Sequence, residues 1–275
     1  MNPTALMKSA NYILSASLLV DKNRYESLSS ISPMPKRVLF IEHDHVSAGG
    51  PIWKQFEKRG YEISRFVIVD EEHAKAPNVT PVWPDLLSFD VVVVMGATYA
   101  AYDDGAIGNW LIPQVAKMRE VHNAGIPVLG ICFGGQLMSR VLGGTVSRSP
   151  HAELGWYEVD SDDESFIPKG PWFQYHWDRF TVPPGATEIA RTQLCPQAYH
   201  FGRTLGLQFH PEIDSEVLDM WLAMDGGCAE VESEGVVVDQ LRAETRKLEA
   251  QSNQRGYDLV DQFLDRIATA PIRTI

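Results

Sequence analysis

Apolar positions along the chain alternate between short runs and helical spacings, the pattern of a parallel sheet covered by helices on both faces. Lys36 to Glu42 is a first strand with Arg-Val-Leu-Phe-Ile as its buried centre. Ile52 to Arg59 has helical spacing ended by Gly60, and Tyr61 to Val69 reads as the next strand. Asp90 to Met95 is almost purely β-branched, as in a strand buried on both faces. A helix is predicted over Asn109 to Asn123, a strand over Ile126 to Ile131, and a helix over Gln136 to Leu142 that stops at Gly143-Gly144.

After Gly143 the pattern changes to short β runs: Gly144 to Arg148, Gly155 to Asp160, Trp172 to His176, Glu188 to Arg191, Ala198 to Phe201 and Leu205 to Phe209. They predict an added mixed or antiparallel layer. Asp214 is placed to cap a helix over Ser215 to Met224. Glu230 to Ala268 is helical in period, with a break expected near Gln254-Arg-Gly256. The fold class is therefore α/β: an open, mostly parallel sheet with helices on both faces plus a small antiparallel β layer. Residues 1 to 35 read as a loosely held N-terminal extension and 36 to 275 as a single domain with C-terminal helices. Tyr12 to Val20 follows a single Lys8 but is short, broken by serines and without a cleavage site.

Candidate chemistry lies at Gly130-Ile-Cys132-Phe-Gly134, where strand turns into helix. This is a nucleophile elbow with cysteine in the place of serine. A residue at a helix N-terminus meets unpaired N–H groups and the positive dipole end, which stabilise negative charge on sulfur. The Phe133 amide is placed to receive an oxyanion. A lone cysteine is ordinarily a small buried hydrophobe, so the elbow alone does not decide.

A second stretch, Gln208-Phe-His210-Pro-Glu212, changes the weighing. Pro211 biases His210 toward extended backbone. Residues two apart on an extended segment share a side, so His210 and Glu212 face one site. A cysteine nucleophile needs a base, and the base needs an orienting group. Cys132, His210 and Glu212 supply those three roles.

These two stretches resemble the two signatures of class I (triad-type) glutamine amidotransferase domains, here in free-standing form and similar to the amidotransferase domain of GMP synthase. The similarity runs from about Lys36 to about Leu222. It includes Asp90 to Gly96, Tyr102-Asp-Asp104, Leu154-Gly-Trp156 and Gln174-Tyr-His176-Trp-Asp178. The resemblance implies a flavodoxin-like sheet and cleavage of the glutamine side-chain amide through a thioester. It implies an oxyanion hole from Phe133 and the turn Gly96-Ala97, and substrate-binding positions at Gln136 and His176. Where the family usually carries a Gly-Gly-Pro-like turn, this chain has Gly96-Ala97-Thr98. Positive φ at Ala97 would strain that turn. Tyr102, Asp103 and Asp104 read as a mainly solvated loop.

Composition narrows the picture further. The formal charge of −12 over 275 residues argues against nucleic-acid binding. The three cysteines, 132, 195 and 228, form no disulfide framework, which suits a reducing, cytoplasmic setting. No apolar run reaches the length of a membrane span. His43, Asp44 and His45 follow the first strand without further Cys or His at metal spacing, so they read as a solvated loop at the site mouth. No metal and no cofactor is expected.

Three functions stay open at this stage. One is release of ammonia from glutamine for an unidentified acceptor, with a separate synthetase subunit as partner. Another is a γ-glutamyl peptide hydrolase using the same three residues. The third is a catalytically silent interaction protein of the same fold.

Overall fold

A computed structural model describes residues 35–275, so the expected N-terminal extension lies outside the described residues apart from Pro35. The strands are β1 (Lys36–Glu42), β2 (Tyr61–Val67), β3 (Val91–Val94), β4 (Val128–Ile131), β5 (Val146–Glu158), β6 (Asp160–Ser161), β7 (Pro171–Phe180), β8 (Thr187–Arg191), β9 (Pro196–Phe201) and β10 (Thr204–Leu207). The helices are α1 (Gly50–Lys58), α2 (Asp104–Asn123), α3 (Phe133–Val141), α4 (Ser215–Ala223), α5 (Gly227–Ser233) and α6 (Val238–Gln262).

Eight strands make one sheet in the order β2-β1-β3-β4-β10-β9-β8-β6. The first five pair in parallel. The last three continue it antiparallel. The switch occurs where Gly202, at φ 56°, allows a tight turn from β9 into β10. β5 and β7 stand apart as a two-stranded antiparallel sheet.

Alternate residues of the central strands feed two cores. Phe40, Val93, Leu129, Ile131 and Leu207 join one face, with Ile52, Phe56 and Val260 from α1 and α6. Ile41, Val92, Val94 and Val128 join the other, with Trp110, Met118, Phe133 and Leu137 from α2 and α3. That two-sided cover is why the strand sequences are so uniformly apolar.

Two details depart from the sequence expectation. The runs at 144–148 and 155–160 belong mainly to one long strand, β5, while β6, β8 and β9 extend the main sheet rather than a separate layer. α6 also continues through Gln254-Arg-Gly256 without a break. Gly256 there is a packing residue: a Cβ on it would lie 2.7 Å from the Pro211 carbonyl oxygen. The glycine lets the helix lie directly on the segment that carries His210.

Candidate active site

Strand register assembles the site. Ile131 of β4 pairs with Leu207 of β10, so Cys132 and Gln208 leave the sheet side by side. The Cys132 amide donates to the Leu207 carbonyl at 2.9 Å. Val94 of β3 pairs with Gly130 on the other side of β4, which brings the turn beginning at Gly96 to the same edge. That edge is the carboxyl end of the parallel strands, where ligands bind in open α/β sheets.

Cys132 is the only non-glycine residue at positive φ among the described residues, with φ 51° and ψ −107°. Such a conformation costs about 1–3 kcal/mol and persists where surrounding packing enforces it. The enforcement is visible in the glycines. A Cβ on Gly134 would sit 2.0 Å from the Val94 carbonyl oxygen, and one on Gly135 2.2 Å from that of Leu207. α3 is thereby pressed onto the ends of β3 and β10, with Cys132 at its N-cap position and Phe133 as its first residue.

His210 is buried, and its ring Nδ1 lies 2.8 Å from Glu212 Oε1. The carboxylate accepts, so Nδ1 carries the proton and Nε2 is free to take one. Nε2 has no hydrogen-bond partner among the described residues. Burial disfavours charge on this ring, but the Glu212 carboxylate and the Cys132 sulfur more than offset it and push the pKa up to about 10. The Trp221 ring packs edge-on to the imidazole at 4.9 Å, and the His210 amide donates to the Phe173 carbonyl at 2.9 Å. A Cβ placed on Gly96 would lie 3.4 Å from His210 Cε1 and 3.9 Å from Cys132 Cβ, so imidazole and thiol flank the same turn.

The turn itself is free of the strain feared from Ala97, which has no positive φ. It is braced from below by residues that read from the sequence as a solvated loop. His43 and Asp44 are buried. His43 Nδ1 donates to the Gly96 carbonyl at 3.1 Å, and its Nε2 accepts from Gln114 Nε2 at 3.0 Å. Burial lowers its pKa to about 4, so the ring is neutral. Asp44 accepts from the Thr98 amide at 3.3 Å and from Ser47 Oγ at 2.8 Å. Burial raises the Asp44 pKa, and those donors partly counter it.

Around the thiol lies a cavity of about 300 Å³ that includes Gln136, Tyr102, Arg148, Tyr175, His176 and Trp177 in its wall. Gln136 Nε2 donates to the Asp178 carbonyl at 3.1 Å. His176 Nδ1 donates to the same carbonyl at 3.0 Å. The acidic loop proves structural rather than merely solvated. Asp103 caps α2 through the Ala106 amide at 3.0 Å, and Asp104 forms a two-pronged pair with Arg140 at 2.7 Å. Two residues near the thiol or in the cavity wall escaped the sequence reading. Gln208 reaches the Cys132 sulfur through Nε2 at 3.8 Å; its place just after strand β10 and two residues before His210 was the available signal. Arg148, the only Lys or Arg in the cavity wall among the described residues, carried no signal.

The model of the glutamine amidotransferase class-I family matches residues 52–225, which spans the whole of this edge. The chain belongs to that family. GMP synthase [glutamine-hydrolyzing] of Aeropyrum pernix is 42% identical over 116 residues, 37% of this chain but 22% of the relative. That of Alkalilimnicola ehrlichii is 34% identical over 155 residues, 46% of this chain and 28% of the relative. The chain thus matches about a quarter of the length of these curated relatives. A solved glutamine amidotransferase of Thermotoga maritima is matched nearly end to end: 25% identity, TM-score 0.71, covering 86% of this chain and 99% of that one. A glutamine amido transferase of Methylobacillus flagellatus, at 22% identity and TM-score 0.70, shares the fold over 84% of this chain. No helix among the described residues of this amidotransferase is long and apolar enough to cross a membrane.

Proposed function

We propose that this amidotransferase cleaves the side-chain amide of glutamine through a cysteine–histidine–glutamate triad, giving glutamate and ammonia. The supporting observation is the strained elbow: Cys132 is forced to positive φ at a strand-to-helix corner, beside a buried His210 already oriented by Glu212. The sulfur of Cys132 attacks the amide carbonyl carbon. The oxyanion is received by the Phe133 amide and by that of Gly96 or Ala97. His210 Nε2 takes the Cys132 thiol proton as the sulfur attacks and delivers it to the departing nitrogen, so the C–N bond breaks, ammonia leaves and a thioester remains. The same ring nitrogen then takes a proton from the water that attacks the thioester and returns it to the departing sulfur, releasing glutamate and the free thiol. Glu212 holds the ring and stabilises its cationic form. Arg148 is the candidate partner for the substrate α-carboxylate.

The ammonia goes to an acceptor still to be identified, on a separate synthetase subunit. The curated relatives named above are GMP synthases, in which the matched region is a fraction of the chain. The decisive assay is glutamate release by Cys132→Ala. It should abolish turnover; glutamine hydrolysis at the parental rate would reject the assignment.

A γ-glutamyl amide with a larger leaving amine is the second reading. It is favoured by aromatic rings at Tyr102, Tyr175, Trp177 and Trp221 in the wall of a cavity roomier than one small side-chain amide requires. Comparison of kcat/KM for glutamine and for γ-glutamyl dipeptides separates the two.

A further inference from the structure

A second buried group of cysteine, histidine and glutamate lies behind the cavity wall, apart from Cys132. Glu153 of β5, His176 of β7 and Cys195 between β8 and β9 are all buried, and their donor atoms lie within 4.8 Å of one another. His176 Nε2 is 3.0 Å from Glu153 Oε2. Cys195 Sγ is 3.8 Å from the same oxygen. These separations are close to the roughly 3.5 Å between ligand atoms that tetrahedral zinc bond lengths require.

The tautomer of His176 sharpens the point. Its Nδ1 faces the Asp178 carbonyl at 3.0 Å and must carry a proton. In the neutral ring the Nε2 lone pair then points into a region occupied by a carboxylate, which is repulsive. Nε2 stands 3.0 Å from the Glu153 carboxylate without hydrogen-bond geometry, a placement that suits a cation held between the two. A backbone carbonyl fixing the far nitrogen of a histidine is also the usual support of a metal-bound ring.

A fourth donor is at hand. Gln197 Nε2 lies 2.9 Å from Glu153 Oε2 and 3.5 Å from Cys195 Sγ. Gln197 Oε1 meets Gln174 Nε2 at 2.9 Å, and Gln174 Oε1 is buried without a partner. A concerted half-turn of both amides keeps the bond between them and presents the Gln197 oxygen to the group.

We propose that Glu153, His176 and Cys195, with Gln197 completing the set, bind one zinc ion that ties the β5–β7 ribbon to the edge of the main sheet. Imidazole, thiolate and carboxylate together suit zinc among common divalent ions. On binding, the Cys195 thiol and the His176 Nε2 position give up any proton to solvent, and no electron is transferred. His176 forms part of the cavity wall on its other side, so the ion would set the position of that wall.

The test begins in a Cys132→Ala, Cys228→Ser background, which removes the two other thiols capable of holding metal. Full-length protein is loaded with zinc, dialysed and analysed for metal content. One zinc per chain is expected, reduced to background by adding Cys195→Ala or Glu153→Gln. Cobalt in place of zinc should give a sulfur-to-metal charge-transfer band in the same doubly substituted protein. A chelator added to the parental chain should lower its thermal midpoint, with recovery on zinc return; this arm needs no mutation. Metal at background level in the doubly substituted protein, or zinc retained after loss of Cys195, overturns the proposal.

Discussion

Nδ1 of His210 and Oε1 of Glu212 stand 2.8 Å apart, although only Pro211 separates the two residues in the chain. The sequence predicts extended backbone here, but the chain turns at Pro211-Glu212, with the Ile213 amide donating to the His210 carbonyl at 3.4 Å, and that turn brings the two side chains together. Replacing Glu212 by glutamine keeps the volume but removes the charge that stabilises the imidazolium. Under the proposed mechanism kcat falls on the order of 10³–10⁴-fold. Steady-state glutaminase kinetics check this, and a loss below tenfold would deny Glu212 its role.

The same substitution has a signature in stability. The folded pKa of His210 is raised from 6.5 to about 10, so folding takes up a proton across that window. The stability it contributes is fully present below about pH 6.5 and drains away as pH rises through 10. Glu212→Gln removes one cause of the raised value. Its thermal midpoint should therefore fall less steeply than the parental one between those pH values. Parallel curves would exclude the coupling.

Asp44 holds the Thr98 amide from beneath the Gly96-Ala97 turn. Asp44→Ala should let the turn drift by a fraction of an ångström. We expect kcat to drop roughly 10- to 100-fold with KM little changed, because the group acts on the oxyanion position and not on the ground state. A rise in KM with kcat intact would place Asp44 in substrate binding instead.

Arg148 is exposed at the cavity mouth, with Asp178 at 3.9 Å as its nearest anionic partner. Arg148→Met should raise KM about tenfold and leave kcat nearly unchanged, the pattern of lost uniform binding. Unchanged KM would remove it as the carboxylate partner.

Gly135 marks the tightest contact of α3 with β10, where an added Cβ would meet the Leu207 carbonyl oxygen at 2.2 Å. Backbone cannot yield as a side-chain tip can. Gly135→Ala should cost about 3 kcal/mol, read from the urea midpoint. Gly105→Ala is the control for steric clash, since its backbone has no positive φ and the nearest atom to a Cβ there is Asp103 Oδ1 at an ordinary 3.6 Å.

Much of this was legible in sequence for particular reasons. Val91–Val94 announces a central strand because a strand buried on both faces tolerates nothing polar. Gly130-x-Cys132-x-Gly134 announces the elbow because only glycine fits between helix and strand ends. The roles of His43 and Asp44 were not legible. Two polar residues after a strand look alike in a solvated loop and in a buried brace, and the difference is the turn from Gly96, some fifty residues away, that they meet. Gly256 misled in the same way: in a helix it resembles a break, and only the approach of Pro211 shows it to be a contact.

Local chemistry, then, was settled by the chain itself: which runs become strands, where the backbone must turn sharply, and that His210 and Glu212 face together. Those depend on neighbours within a few residues. Register was decided by the tertiary structure. Pairing Ile131 with Leu207 and Val94 with Gly130 carries Cys132, Gln208 and Gly96 to one edge, and the same folding places Cys195 against Glu153 and His176. Contacts between residues so far apart arise from sheet pairing and side-chain packing, which no local pattern specifies.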